Sequence, residues 1–241
     1  MLEKNTRNRS LNQLHVESLA KELSSGRWKL NGDAIRLSKD RVIDGQHRLA
    51  AIVKSGISMQ TLIIEDLSDD VFNTIDIGRR RSGGDTLSVL GYLNSTRLAA
   101  MLAVIDRYMT GRAEKYVTYS NTEIEILSNK YPDAQSAMQA SNVSRGLISP
   151  SILDACYYLF SKKDQQLADD FIKSAIKGID LVEGDAWYLL HERLLQNSMA
   201  KAKLPKDYIF AICIKAWNAK RSNTKIKVLK WISDESFPFI N

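Results

Sequence analysis

The chain has 241 residues and a mass of 27.2 kDa, enough for one large domain or two modest ones with a sizeable core. Hydrophobic residues make up 44% and charged residues 26%, a globular composition that excludes wholesale disorder, collagen and coiled coil. The formal net charge of +6 is unevenly spread: residues 201–241 hold nine Lys/Arg against three Asp/Glu, whereas 1–94 hold 14 against 12 and 95–200 hold 11 against 13. No apolar run approaches the roughly 20 residues of a membrane span, and the polar start MLEKNTRNRS lacks the hydrophobic region of a secretory signal. Two cysteines, Cys156 and Cys213, fit a reducing compartment. The expectation is a cytoplasmic chain with no membrane partner.

The first 94 residues read as mixed α/β. Ser10 is placed to cap a helix carrying Leu11, Leu14, Leu19 and Leu23, which Gly26 ends. Residues 34–37 and 41–43 then read as two strands of a hairpin around the polar turn Ser38-Lys39-Asp40. Asp44-Gly45 leads into a helix over 46–55, closed by Gly56, and Thr61-Leu62-Ile63-Ile64 reads as a buried strand. Strand, helix and strand so close together indicate a βαβ unit. A short helix over 68–76 follows.

From about residue 95 the strand signals stop. Segments 95–110, 121–130, 149–161, 164–177, 185–200 and 206–220 each carry helical periodicity, punctuated by Gly111, Pro132, Pro150, Gly178, Gly184 and Pro205. The expected fold is α+β, with a sheet domain over 1–94 and an all-helical domain over 95–241. The helix at 85–93 can belong to either side.

The sharpest chemical feature is Val42-Ile43-Asp44-Gly45-Gln46-His47-Arg48-Leu49. A helix N-terminus carries roughly +0.5 charge and exposed N–H groups, so it favours anions and disfavours the cations found here. His47 and Arg48 make sense at this place if an anion sits beside them. Gly45 lets backbone approach it, Gln46 can donate an amide hydrogen, and Arg48 can fork onto phosphate oxygens. Asp44 would cap the helix or, in an enzyme, hold a metal or accept a proton. The competing reading is a capped helix whose Arg48 pairs with a surface carboxylate.

A second feature is the run Gly78-Arg79-Arg80-Arg81-Ser82-Gly83-Gly84-Asp85, read as a flexible cationic loop before a helix capped by Asp85. Arg79, Arg80 and Arg81 suit a phosphate backbone, as do Arg7 and Arg9 near the start and Lys220 and Arg221 in the basic tail. Interleaved Tyr208, Trp217, Trp231 and Phe237 strengthen a nucleic-acid reading of that tail; a solvated basic helix face is the alternative. The three histidines and two cysteines lack metal-ligand spacing, and Walker A, GxGxxG and nucleophile-elbow motifs are absent. Tyr157, Tyr158, Phe160, Phe171, Trp187 and Tyr188 recur at helical intervals and read as core.

On its Ile43-Asp44-Gly45-Gln46-His47-Arg48-Leu49 and Ile75-Asp76-Ile77-Gly78-Arg79-Arg80-Arg81 motifs, the chain resembles the ParB/sulfiredoxin superfamily over about residues 5–94. It is most similar to phage-encoded ParB-like proteins, whose C-terminal part the helical half also resembles. The superfamily holds nucleotide phosphates at this turn: CTP in partition ParB, ATP in sulfiredoxin, ADP in a free-serine kinase. Carried over by position, Gly45, Gln46, His47 and Arg48 would be phosphate contacts. Sulfiredoxins carry a reactive Cys where this chain has Gln46, so their reaction is excluded, and partition ParB proteins read Gly-Glu-Arg-Arg instead.

The resemblance therefore implies a nucleotide- and DNA-binding protein taking a nucleoside di- or triphosphate, with or without Mg, in the cytoplasm of a phage's host. The alternative from another class is a phosphotransferase or nuclease using Asp44 and His47. A third is a phage effector that binds a host protein.

Overall fold

The computed structural model describes residues 8, 10–39, 41–75, 81–140, 146–232 and 234–241. The chain forms two compact units, Met1–Arg80 and Arg81–Asn241. Among the described residues there are ten α-helices and one three-stranded mixed sheet, an α+β fold. None of these helices is long and apolar enough to cross a membrane.

In the first unit, helix α1 (Gln13–Ser24) is capped by Asn12 rather than Ser10: Asn12 Oδ1 accepts from the His15 N–H at 3.1 Å. At its other end Gly26 turns left-handed (φ +65), and the Arg27 N–H closes back onto the Glu22 carbonyl. Val16, Ala20 and Leu23 form one buried stripe. Strands β1 (Ala34–Leu37) and β2 (Val42–Asp44) make the expected hairpin, with Arg36 opposite Asp44 and an irregularity between Arg36 and Leu37. Helix α2 (Gln46–Ser55) runs to the left-handed Gly56.

Strand β3 (Leu62–Ile64) pairs parallel to β1, giving the order β2-β1-β3. The parallel crossover therefore spans β2 and α2 together. Helix α2 is buried on two sides: Ala51 packs with α1, and Leu49 packs with Ile35 and Val42 of the sheet. The expectation of a buried β3 does not hold, because Leu62, Ile63 and Ile64 are 48%, 49% and 40% exposed. An aliphatic run marks a strand that can be buried, but burial needs a covering layer, which the run itself does not specify. A 3-10 turn follows at Asp69–Thr74.

In the second unit, helix α3 (Gly83–Val89) begins with a capping box in which Ser82 is the cap and Asp85 reaches back to the Ser82 N–H. Asp85 is thus the third helical residue, not the cap. Gly83 and Gly84 belong to this helix rather than to a flexible loop. A Cβ on Gly83 would lie 2.8 Å from Ile124, and one on Gly84 2.7 Å from Thr96, so both glycines serve close helix packing. Helix α3 packs against α4 (Ser95–Met109) and α5 (Asn121–Lys130), within the second unit.

The remaining helices are α6 (Ala134–Ala140), α7 (Pro150–Ser161), α8 (Gln165–Phe171), α9 (Ala186–Met199) and α10 (Lys206–Arg221). Helix α6 has no counterpart in the sequence reading. The helix read over 164–177 is α8 followed by a π-helical turn, Ile172–Ile176. Helix α7 is the centre of the unit, with every residue from 151 to 160 buried, as expected of a helix surrounded by others. Phe160 stacks on Trp217 at 4.2 Å and meets Phe171 edge-on at 5.1 Å.

Candidate functional site

The turn between β2 and α2 is built by three constraints. Gly45 stands at φ +98, where a Cβ would lie 3.0 Å from Ile35 Cγ1 and 3.3 Å from Arg48 Nη2. Only glycine fits both the conformation and the space. It is also the residue preceding the helix, so the N-cap of α2 offers no capping side chain. Asp44 does not cap it either: Oδ1 accepts from the adjacent Gly45 N–H at 2.6 Å.

The other oxygen of Asp44 receives two arginines. Arg36 Nη1 donates to Oδ2 at 2.6 Å and Arg48 Nη2 donates to it at 3.0 Å. The first contact follows from the hairpin, which sets Arg36 opposite Asp44; the second follows from the i, i+4 spacing. Arg48 Nη2 also donates to the Ala34 carbonyl at 2.5 Å, and Nη1 lies 3.7 Å from Asp33 Oδ2. Its Nε is buried without a hydrogen-bond partner. Arg48 thereby ties α2 to both β1 and β2.

His47 and Gln46 face inward, at 8% and 5% exposure. His47 Nε2 accepts the Asn12 N–H at 3.0 Å, which joins the start of α1 to the start of α2, and its ring lies 5.1 Å from that of His15. Asn8 donates from Nδ2 to the Val42 carbonyl at 2.6 Å. An Nε2 that accepts from backbone carries no proton, so that nitrogen is not placed to give one to a substrate.

The turn therefore brings together Asp44, Gly45 and Arg48 and adds Arg36 and Asp33, which sequence reasoning missed. The signal was present: once 34–37 and 42–44 are paired around a short turn, the antiparallel register places Arg36 across from Asp44. Among the described residues no three His, Cys, Asp or Glu side chains group as metal ligands would.

The cationic candidates are dispersed. Arg7, Arg9, Arg79 and Arg80 lie outside the described residues. Arg81 is exposed, and its carbonyl accepts from Asn121 Nδ2 at 3.1 Å. Lys220 is engaged: its Nζ bonds Asp185 and lies 5.0 Å over the Trp187 ring. Arg221 is exposed.

The aromatics of the basic tail do not form a stacking platform. Trp217 is fully buried, and Tyr208, Trp231 and Phe237 pack on one another and on the core. The expected core aromatics Tyr157, Tyr158, Phe160, Phe171 and Trp187 are buried, with Tyr188 half-buried. Compared with known proteins, the chain matches no family model, no curated protein and no solved structure.

Proposed function

We propose that the first unit is a ParB/sulfiredoxin-like module of phage type whose turn at 44–48 binds the phosphates of a nucleoside di- or triphosphate, with or without Mg, in a protein that also binds nucleic acid. One observation carries this reading: two arginines, Arg36 and Arg48, converge on a single carboxylate oxygen at the mouth of a helix whose N-cap is a glycine. Guanidinium groups at a helix N-terminus are what a phosphate oxygen requires. Asp44 occupies the position such an oxygen would take, so ligand and carboxylate compete for the same donors. Binding is favoured over catalysis because His47 Nε2 is committed to the Asn12 N–H.

The test is calorimetry with a panel of nucleoside di- and triphosphates, with and without Mg, on the parent, Asp44→Asn and Arg36→Ala. Removing the competing charge should tighten nucleotide binding, by about tenfold if one charge-assisted bond is released, and Arg36→Ala should weaken it by about ten- to a hundredfold. Absence of binding in both the parent and Asp44→Asn overturns the reading. Turnover of a nucleotide or cleavage of DNA that Asp44→Asn abolishes in folded protein replaces it with the enzyme.

A further inference from the structure

Within the second unit seven cations are held in ion pairs among the described residues. Lys130 and Arg112 meet Asp106, Lys162 meets Asp133, Lys173 meets Asp180, Lys215 meets Glu235, Lys220 meets Asp185, and Arg97 meets Asp154. From Arg221, the last residue of α10, onward no cation is so held among the described residues. Arg221, Lys225, Lys227 and Lys230 fall within ten residues that contain no Asp or Glu. All four are exposed, and none has an acidic partner among the described residues.

These cations do not hang on a loose end. After the left-handed Asn223 the chain leaves α10, and the Thr224 N–H closes back to the Ala219 carbonyl at 2.8 Å. Over 225–232 there is no helix or ladder, and the apolar side chains divide, with Val228 and Ile232 exposed and the others inward. Ile226 is half-buried against the core and Leu229 and Trp231 are buried, while Lys225, Lys227 and Lys230 stand out in solvent. Beyond it the tail is clasped again: Lys215 bonds Glu235 at 2.8 Å, Asn218 Nδ2 donates to the Phe239 carbonyl at 2.6 Å, and the Ile240 N–H donates to Tyr108 Oη at 2.8 Å. The result is a ribbon anchored by apolar side chains at fixed places, presenting a row of unpaired positive charge.

Resting on the reading that the chain binds nucleic acid, we infer that this ribbon, through Arg221, Lys225, Lys227 and Lys230, is the surface that holds the phosphate backbone of a duplex. Mutual repulsion of four cations, none of them held in an ion pair among the described residues, is relieved by a polyanion, and fixed apolar anchors lower the ordering cost on binding. Lys220 is not part of this surface, because Asp185 already holds it. Trp217 and Trp231 are packed inside, so bases have no ring to stack on in this segment and recognition rests on backbone charge.

The experiment is fluorescence anisotropy on the full chain with two labelled duplexes of unrelated sequence, titrated at several salt concentrations. The parent is compared with the triple variant Lys225→Gln/Lys227→Gln/Lys230→Gln and with Arg81→Gln, and thermal melting checks that each is folded. The parent should bind both duplexes within about threefold of each other. Each phosphate contact adds about 0.9 to the slope of log affinity against log salt, so the triple variant should lose about 2–3 units of slope. Parent-like slope and affinity in the folded triple variant overturn the ribbon and leave the nucleic-acid reading standing. Parent protein that binds neither duplex removes both, and binding of polyglutamate without binding of duplex assigns the ribbon to an acidic protein segment instead.

Discussion

Arg97 grips Asp154 with two hydrogen bonds of 2.6 Å, Nε to Oδ2 and Nη2 to Oδ1, joining α4 to the central helix α7. The carboxylate is fully buried, and its bond holds the Arg97 guanidinium protonated more firmly than usual. Removing one partner of such a pair strands a charge, which costs about 3–5 kcal/mol, whereas replacing both with apolar groups is far milder. Arg97→Met should therefore lower the urea unfolding midpoint sharply, and adding Asp154→Leu should restore much of it. Simple additivity of the two losses in a double-mutant cycle would contradict this.

Arg48 acts as a fork, with one nitrogen serving both the Asp44 carboxylate and the Ala34 carbonyl while Nη1 approaches Asp33. A lysine has the charge but not the planar geometry. Arg48→Lys is expected to cost about 1–2 kcal/mol of stability through the acceptors it leaves unmet, and Arg48→Ala somewhat more. Denaturant unfolding followed at Trp28, which is in the same unit, measures this. Equal midpoints for parent and Arg48→Lys would show that charge alone suffices.

Gly45 should tolerate no side chain. Gly45→Ala combines a backbone conformation costing about 1–3 kcal/mol for other residues with a 3.0 Å approach to Ile35 Cγ1. By contrast, Gly26→Ala at φ +65 meets nothing within 4 Å and carries only the conformational cost. The two melting temperatures, measured side by side, should differ with Gly45→Ala the lower; the reverse order would mean that the turn relaxes.

Alkaline pH should destabilise the helical unit through Tyr119. Burial first, and then its 2.9 Å bond to Asp106 Oδ2, raise the phenol above its ordinary value of 10. Below pH 9 both folded and unfolded chains keep the proton, and the contribution is whole. Above about 10 the unfolded chain loses its proton first, so stability falls as pH rises towards the folded value. Tyr119→Phe should be weaker than the parent by about 1 kcal/mol at pH 8, and that gap should narrow by pH 11 in urea titrations. A gap that does not narrow removes Tyr119 as the cause.

Periodicity and punctuation made most helices legible, because the residues that bury a helix face and those that end it are encoded locally. The 46–55 helix is bounded by two glycines whose left-handed conformations leave little choice of ends. What stayed hidden depends on residues distant in sequence. The exposure of Leu62, Ile63 and Ile64 depends on whether another layer covers them, and nothing in the run itself specifies that. Gly83 and Gly84 looked like a loop because their reason, the nearness of Ile124 and Thr96, lies 41 and 12 positions away. In the candidate turn, Asp44, Gly45 and Arg48 were visible as a motif, but Arg36 entered only through strand register.

The π-helical turn at Ile172–Ile176 leaves one carbonyl over. The N–H groups of Lys177, Gly178 and Ile179 go to the carbonyls of Ile172, Ser174 and Lys173, skipping that of Ala175. Ala175 is instead met by His191 Nδ1 at 3.0 Å, from α9. Since a carbonyl only accepts, this contact requires the proton on Nδ1, so a widened helical turn selects the tautomer of an imidazole 16 residues away. The ring reaches that carbonyl past a glycine, for a Cβ at position 178 would stand 2.9 Å from Nε2. Helix irregularity, histidine and glycine thus depend on one another: shortening the turn by a residue would strip the histidine of its acceptor and the glycine of its purpose.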